Sequence, residues 1–415
     1  MTTPLREVDT AWLHMGGETN RMVIDAVLFL DGPLDRAALA SLIESRLLRH
    51  ERFVRRVREG TRPVWERDPH FHLDNHLSHV ALPAPADEAV LRDRISQELS
   101  TPLDPARPLW RVTMIDGHGA GTLLHARIHH CIADGVALVK VLLGLTDELA
   151  EVEPARVGVD DPHLTGLARL RALAGRATAL GETLLLSSDP SDWPLKGPLG
   201  VRKRVAWSAA TSLERIRDAG RAQGGTLNDV VLAAAAGSLR RYLVAKGVAP
   251  RSLRALVPVF LKTNSSESDA LGNHFGLVFV ELPVDLPTKE ERLAAVRGRM
   301  AAIKASQEPA MAVDVLSLMG AVPSAVEQIG VDLFTAKATV MMTNVPGPPV
   351  AVHLAGRRVE SMLVWAPSGG TIGLSLSVLS YAGMVRVGVR SDGAVIPDPE
   401  ALVAGFEEEL RGLLG

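Results

Sequence analysis

The chain has 415 residues, of which 47% are apolar and 22% are charged, and its formal net charge is -3. This length predicts two or three domains of about 100–200 residues each, and the composition predicts a folded chain with a sizeable apolar core. The near-neutral charge argues against a nucleic-acid-binding protein, and the single cysteine, Cys131, excludes an internal disulfide.

The first half of the chain predicts a mixture of strands and helices. The alternating pattern of 22–30 predicts a strand, and the segment after it predicts a helix with Asp35 as its N-cap. Two strands are predicted at 110–116 and 122–128, joined by a glycine-rich hairpin turn. A helix is then predicted from 135 to 149.

A connecting region is predicted over residues 151–210, because proline, glycine and serine recur at its ends. Between those ends, 164–186 predicts a helix with one apolar face and arginines roughly opposite. A basic amphipathic helix can lie on a membrane surface. Packing between two domains is the more common role of such a helix.

The second half repeats the mixture. A helix is predicted over 224–247, with a polar, cap-like start at Asn228–Asp229. The other predicted elements are strands at 254–260, 276–282, 338–343, 358–365, 372–380 and 384–390 and helices at 288–307 and 398–413. An α/β (mixed α+β) fold is therefore expected, with lobes at 1–150 and 211–415, the connector 151–210 between them, and the active site in the cleft.

The least ordinary stretch is a histidine pair at the junction of a predicted strand and a predicted helix. His129 and His130 close the strand, and Asp134 and Gly135 open the helix. Neighbouring residues of a strand point to opposite faces, so the two imidazoles are not expected to bind one metal ion. An imidazole facing a cleft can act as a general base toward an alcohol or amine. The alternative is a buried structural histidine beside a turn aspartate that caps the helix.

The residues from His129 to Gly135 match HHxxxDG, the hallmark of the CoA-dependent acyltransferase superfamily. That superfamily includes chloramphenicol acetyltransferase and peptide-synthetase condensation domains. Further segments resemble the bacterial wax ester synthase/diacylglycerol acyltransferases, in the same order along the chain: VDTAWLHM, PLW (Pro108, Leu109, Trp110), TLNDVVLAA with Asn228 and Asp229, LGNHFG with Gly272 and Asn273, TNVPGPP with Thr343, Asn344, Pro346 and Gly347, and LSVLSYAG. The resemblance covers essentially the whole chain.

This resemblance implies a two-lobe, chloramphenicol-acetyltransferase-like fold. It implies an O-acyltransferase that moves a long-chain acyl group from acyl-CoA to diacylglycerol or to a long-chain alcohol. Acyl-CoA would be the co-substrate, with no bound cofactor, no metal and no nucleic-acid partner. In the superfamily the second histidine is the base, which corresponds to His130, and His129, Asp134 and Gly135 complete the catalytic motif.

The other site residues are expectations carried by the same resemblance. Asn228 and Asp229 would stabilise the oxyanion or anchor loops, although Asn228 could simply cap a helix. Ser375, which stands where the family often has asparagine, and Ser377 would reach the site from their strand. The expected substrate-binding residues are Pro108, Leu109, Trp110, Gly272, Asn273, Thr343, Asn344, Pro346 and Gly347, with Trp110 either in an acyl tunnel or in the core.

Alternative functions remain open at the level of sequence. The donor could be an acyl-carrier protein, the acceptor could differ, or the chain could be a non-catalytic lipid-binding relative. A thioesterase with Cys131 as nucleophile is a further possibility, although Cys131 occupies a variable position of the motif and is expected to be structural. Because the sequence lacks a secretory signal and an apolar run of about 18 residues, a cytoplasmic protein is expected, peripheral to a membrane or lipid droplet.

Overall fold

The computed structural model describes residues 2–60, 62–148, 158–160, 189, 194–262, 275–305 and 324–415. Within this part of the chain, the helices are α1 (Glu7–His14), α2 (Arg36–Arg46), α3 (Glu88–Leu99), α4 (Gly135–Leu145), α5 (Leu213–Ala222), α6 (Leu227–Ala245), α7 (Lys289–Ala305), α8 (Ser324–Thr335) and α9 (Pro399–Leu414). The strands are β1 (Thr3–Pro4), β2 (Val23–Leu30), β3 (Arg55–Arg58), β4 (Val64–Arg67), β5 (Leu77–Ala81), β6 (Trp110–Asp116), β7 (Leu123–His129), β8 (Gly158–Asp160), β9 (Lys203–Trp207), β10 (Thr211–Ser212), β11 (Leu253–Lys262), β12 (Phe275–Leu282), β13 (Val340–Pro346), β14 (His353–Leu354), β15 (Arg357–Trp365), β16 (Leu374–Tyr381) and β17 (Met384–Asp392).

A six-stranded sheet, in the order β14-β15-β2-β7-β6-β5, forms the centre of the first lobe. Its strands β2, β6 and β7 coincide with the strands predicted at 22–30, 110–116 and 122–128, and β6 and β7 form the expected antiparallel hairpin. Strand β2 pairs with β7 so that Val23 lies opposite His129 and Asp25 opposite Arg127. The histidine pair therefore lies at one end of a central, well-paired strand.

The second lobe is built on an eight-stranded sheet in the order β10-β17-β16-β13-β11-β12, with β8 paired to β11 and β9 to β17. Strands β13 and β16 are parallel, and Thr343 lies opposite Ser377 while Asn344 lies opposite Val378. Helices α6, α7 and α9 contribute their apolar faces to the core beneath this sheet. The sheets flanked by helices confirm the expected mixed α/β, two-lobe class.

Two strands from late in the chain, β14 and β15, join the sheet of the first lobe. Strand β15 pairs antiparallel with β2, and Trp365 lies opposite Asp25. Sequence proximity had placed this segment with the lobe at 211–415. The division at 150 and 210 otherwise stays a prediction, because most of the connector, including the helix expected at 164–186, lies outside the described residues.

Side-chain caps define where the helices of the site begin. The carboxylates of Asp35 and Asp134 accept hydrogen bonds from the third residue after each. The sequence predicts the cap at Asp35 and gives capping as one of the alternatives for Asp134. Helix α4 ends at Leu145, earlier than the expected 149. The cap-like start at Asn228–Asp229 was wrong, because Thr226 caps α6. The Thr226 backbone N–H in turn donates to the Asp229 carboxylate at 2.7 Å.

Apolar packing joins the two lobes. Two large cores contain mainly residues of the first and second sheets, and a smaller cluster lies between α3, the first sheet and β9. Trp207 of β9 and Trp365 of β15 meet in this smaller cluster with ring centroids 5.8 Å apart. Among the described helices, none is long and apolar enough to cross a membrane.

Candidate active site

The turn between β7 and α4 holds the histidine pair. Strand β7 ends at His129, whose carbonyl accepts the Ile132 N–H at 2.9 Å, and Asp134 then caps α4. The His130 N–H donates to the Met22 carbonyl at 2.7 Å. His130 is therefore the first residue of a tight turn rather than a second strand position, and both ends of the turn are hydrogen-bonded.

His129 is a buried, neutral histidine that supports this turn. Its Nδ1 accepts the Cys131 N–H at 3.2 Å, which assigns the ring proton to Nε2. Burial, together with the neighbouring His130, lowers the pKa of His129 to about 3. With Nδ1 engaged inside the loop, His129 acts as a structural acceptor.

His130 lies against an aromatic ring from the N-terminal helix. The imidazole stacks on the indole of Trp12, with ring centroids 4.1 Å apart and planes inclined by 22°. Only 7% of His130 and 3% of Trp12 are exposed. The ring of the candidate base is thus held in a dry, defined position.

An arginine in the turn before β3 also forms hydrogen bonds with this loop. Arg52 donates to the carbonyls of Cys131 and Ile132 at 3.1 and 2.7 Å. Its other terminal nitrogen pairs with the buried carboxylate of Asp9 on α1 at 2.7 Å. Arg52 therefore connects α1 to the turn that carries His130.

Cys131 is unsuited to nucleophilic chemistry in this setting. The residue is fully buried. Burial, with a further contribution from Asp9, raises the pKa of the Cys131 thiol well above its ordinary value. A buried thiol that resists ionisation lacks the thiolate needed to attack a thioester.

The PLW segment lies behind the histidine turn. The Leu109 carbonyl accepts the His129 N–H at 2.9 Å. Trp110 is 2% exposed, donates its indole N–H to the Phe53 carbonyl at 2.8 Å and stacks on His76. Trp110 therefore packs in the first core, which was one of its two expected positions.

The second lobe meets α4 through β13. A methyl group added at Gly135 would lie 3.5 Å from Val345, an ordinary contact, so the neighbouring protein atoms do not themselves demand glycine here. Gly347 differs, because a methyl group there would lie 2.6 Å from the Ser380 carbonyl oxygen. The close pairing of the chain after Pro346 with β16 therefore requires glycine.

Two asparagines connect α6 to β13. The side-chain NH₂ of Asn344 donates to the side-chain oxygen Oδ1 of Asn228 at 2.5 Å. Asn228 lies inside the first turn of α6, whereas Thr226 occupies the cap position. Alternation along β13 places Thr343 on the opposite face of the strand, together with Val345. Asn344 thus faces α6, and Thr343 faces the first lobe.

Both predicted serines contact the backbone at the end of β15. Ser375 donates its hydroxyl to the Ala366 carbonyl at 2.9 Å, and the Ala366 N–H donates to the Ser377 hydroxyl at 2.9 Å. These contacts fasten one of the strands that the second half contributes to the first sheet. Of the remaining predicted residues, Gly272 and Asn273 lie outside the described part of the chain.

The described residues contain no group of three or more side chains that could hold a metal ion.

Two sequence models of one family match the chain. The model "Wax ester synthase/diacylglycerol acyltransferase catalytic domain" matches residues 5–184, and "WS/DGAT C-terminal domain" matches residues 271–413. The chain belongs to the wax ester synthase/diacylglycerol acyltransferase family. It is therefore an enzyme of the acyltransferase class.

Individual relatives agree with this assignment. A Mycobacterium tuberculosis protein named "Probable diacyglycerol O-acyltransferase tgs1" is 29% identical over 95% of this chain and 91% of its own length. The solved wax ester synthase/diacylglycerol acyltransferase from Marinobacter aquaeolei VT8 superposes with a TM-score of 0.74 at 24% identity, over 99% of this chain and 98% of that one. A starter condensation domain of rhizomide synthetase superposes with a TM-score of 0.63 at 14% identity, over 100% of this chain and 94% of that one. These two structures share the fold, which confirms the two-lobe expectation.

Sequence reasoning did not single out Trp12 and Arg52, which contact the histidine turn, or Asp9, which pairs with Arg52. Asp9 and Trp12 belong to VDTAWLHM, which was noted only for its likeness to the family. Arg52 lies in an arginine-rich segment with no periodic pattern to distinguish it. A local signal existed for the first two, since α1 carries Asp9 and Trp12 one helical turn apart.

Proposed function

We propose that the chain transfers a long-chain fatty acyl group from acyl-CoA to the hydroxyl of diacylglycerol or of a long-chain alcohol, with His130 as general base. The observation that carries this proposal is the held, nearly buried imidazole of His130 within an intact HHxxxDG turn. The fixed turn supports base catalysis because a general base must stay within hydrogen-bond reach of the proton it takes.

The proton moves in two steps. His130 takes the proton of the acceptor hydroxyl while the hydroxyl oxygen bonds to the thioester carbonyl carbon. The carbonyl electron pair moves onto its oxygen, giving a tetrahedral oxyanion. When the oxyanion collapses, the carbon–sulfur bond breaks and His130 returns the proton to the CoA sulfur. The products are an ester and free CoA, with no acyl group bound to the protein.

The wall of the second lobe is proposed to position the reactants. Asn228, oriented by Asn344, keeps its own amide N–H groups for the oxyanion or for a substrate carbonyl. Thr343 is proposed to contact substrate from β13, and Gly272 and Asn273 are retained as substrate contacts on the family resemblance.

The test is acyl transfer from radiolabelled palmitoyl-CoA to diolein and to hexadecanol. Ester product from wild-type protein, lost in His130→Gln, is the expected result, and the ratio of triacylglycerol to wax ester identifies the preferred acceptor. A parallel reaction with a palmitoyl-acyl-carrier protein distinguishes the donors. No ester from any donor, with folded protein, would overturn the proposal in favour of a non-catalytic lipid-binding role.

We propose further that the chain meets its lipid acceptor at the surface of a membrane or droplet from the cytoplasmic side. Diacylglycerol and long-chain alcohols partition into lipid, and this supports peripheral contact. Flotation with phosphatidylcholine liposomes containing diolein tests it. Replacing the leucines of 164–186 by serine should weaken flotation; unchanged flotation would remove that segment from consideration.

A further inference from the structure

We propose that Trp12 is a positioning residue for the base, and that its indole face stabilises the positive charge that His130 gains when it takes the acceptor proton. This inference rests on the proposed function of His130. The observation behind it is the stack itself: the two ring centroids are 4.1 Å apart and the planes differ by 22°. A cation within about 6 Å of an indole face lies in the range of cation–π attraction.

The helix that carries Trp12 is tied to the histidine turn at a second point. Asp9 lies three residues before Trp12 and therefore on a neighbouring part of the helix surface. Its carboxylate pairs with Arg52, which donates to two carbonyls of the turn. Helix α1 contacts the turn through the Asp9–Arg52 pair and through the Trp12–His130 stack. A movement of Trp12 relative to His130 would therefore break buried contacts.

The charge on His130 changes during the proposed reaction, and this change determines at which stage the stack with Trp12 stabilises the imidazole. The electron-rich face of an indole attracts an imidazolium far more than a neutral imidazole. The stabilisation therefore grows as the proton arrives and falls away when it leaves with the CoA thiol. An interaction that is stronger in the transition state than in the ground state raises kcat rather than lowering KM. The expected contribution to kcat is about 2- to 30-fold.

A purely structural role for Trp12 predicts a different pH dependence. If the indole stabilises the imidazolium, its removal lets His130 lose its proton more easily, and the acid limb of kcat/KM moves to lower pH. If the indole only fills space, its removal admits water, which solvates the imidazolium and moves the acid limb to higher pH. The two roles therefore differ in sign.

The experiment compares wild type with Trp12→Phe and Trp12→Leu. The control is Trp207→Leu, which removes another buried indole, one that packs on Trp365 in the cluster between the lobes. The pH profiles of kcat and kcat/KM are measured for palmitoyl-CoA at saturating acceptor. Trp12→Leu should lower kcat by about 2- to 30-fold and move the acid limb to lower pH. Trp12→Phe should lie between it and wild type, and Trp207→Leu should keep the wild-type profile.

A readout that needs no turnover separates this inference from the proposed function. With ring-labelled histidine, the His130 NMR signal is assigned by its absence in His130→Gln. It should show an indole ring-current shift in wild type, and should titrate at lower pH in Trp12→Phe. If wild type transfers no acyl group, the proposed function fails while this titration still tests the stack. An acid limb or a titration that stays in place or moves to higher pH would overturn the role of Trp12. Trp12→Phe carries the test if Trp12→Leu does not fold.

Discussion

Two parts of strand β7 hold histidines in contrasting surroundings. In the middle of the strand, the two ring nitrogens of His125 contact the carboxylates of Glu98 and Asp25 at 2.9 and 3.1 Å. At the end of the strand, Nδ1 of His129 accepts a hydrogen bond from the backbone N–H of Cys131 in the turn. Both side chains are buried. The difference lies in the partners rather than in the depth of burial.

The different partners of His125 and His129 shift the pKa values of the two imidazoles in opposite directions. Burial disfavours the charge on His125, but the hydrogen bonds of Asp25 and Glu98 outweigh it and raise the pKa of His125. Burial without a carboxylate partner in hydrogen-bond contact lowers the pKa of His129 to about 3. The two carboxylates therefore favour the protonated form of His125.

The charged middle of β7 also joins the lobes. Asp25 accepts from Arg127 at 3.1 Å, and Arg390 of β17 donates to the Val23 carbonyl at 3.2 Å and lies 3.7 Å from Asp25. Burial opposes the ionisation of Asp25, yet His125 and Arg127 lower its pKa. Position on the strand thus separates a network of ionisable groups between the sheets from the turn that holds His129 and His130.

The largest expected effect distinguishes the two histidines of the pair, His129 and His130. His130→Ala should lower kcat by about 100- to 10,000-fold, because a general base contributes that much. His129→Asn keeps a side-chain acceptor for the Cys131 N–H and should keep most of the activity. Both are measured by initial rates with palmitoyl-CoA and the better acceptor. A larger loss in His129→Asn than in His130→Ala would reverse the assignment of the base.

The second prediction loosens the turn without touching either histidine. Arg52→Lys keeps a positive charge near Asp9 but lacks the planar fork, in which one nitrogen contacts two carbonyls of the turn and the other contacts Asp9. Misplacing a base by about 1 Å can cost about 100-fold, so a fall in kcat of about 10- to 100-fold is expected. Arg55→Lys, at an arginine paired with exposed Glu51, is the matched control. Equal activities of the two variants would contradict a role of Arg52 in holding the turn.

The third prediction concerns Glu98 of α3, which contacts His125 in the middle of β7. Glu98→Gln should lower the free energy of unfolding by about 1–3 kcal/mol and leave kcat within a few-fold. Burial opposes the ionisation of Glu98, but the hydrogen bond with His125 lowers its pKa from 4.5 to about 2. Its contribution is therefore complete above pH 4.5 and is lost as the pH falls toward 2.

Urea denaturation of wild type and Glu98→Gln across this pH range gives the measurement. The difference in stability should be constant near neutral pH and shrink on acidification below pH 4.5. On the alkaline side, the contribution of His125 is lost as the pH rises through its raised pKa. A pH-independent difference would show that Glu98 contributes packing rather than charge.

The fourth prediction concerns Ser375, which lies on β16 and contacts the backbone at the end of β15. Ser375→Ala removes one buried hydrogen bond to Ala366 and should cost about 0.5–1.5 kcal/mol of stability. If the hydroxyl only fastens the strand, KM for both substrates stays unchanged. A selective rise in KM for one substrate would restore the substrate-positioning role expected from the sequence.

The smallest effect is expected at Cys131. Cys131→Ala should keep activity within about 2-fold, because the thiol is buried and its pKa is raised, so no thiolate is available. Thioester hydrolysis without acceptor is measured alongside transfer. Abolished turnover in this variant would favour the thioesterase alternative.

Local patterns determined much of this protein. The alternation of 22–30 and of 122–128 predicted β2 and β7, and Asp35 was recognised as a cap, and Asp134 as a candidate cap, because a cap acts over three residues. The HHxxxDG turn was recognisable for the same reason: its residues are contiguous. The short elements α1, β3, β4 and β5 were missed, since each is too short for a clear period.

Long-range pairing decided the rest. Nothing local places 357–365 in the first sheet, joins Asn228 to Asn344, or brings Arg52 to carbonyls about eighty positions away. Ser375 and Ser377 look available in the sequence, yet both contact the backbone of Ala366 once the chain is folded. The sequence by itself determined which residue types stand at the turn between β7 and α4. Only the tertiary structure decided which histidine has a raised pKa, which has a lowered pKa and which stacks on Trp12, because these properties depend on groups brought beside the side chain by folding.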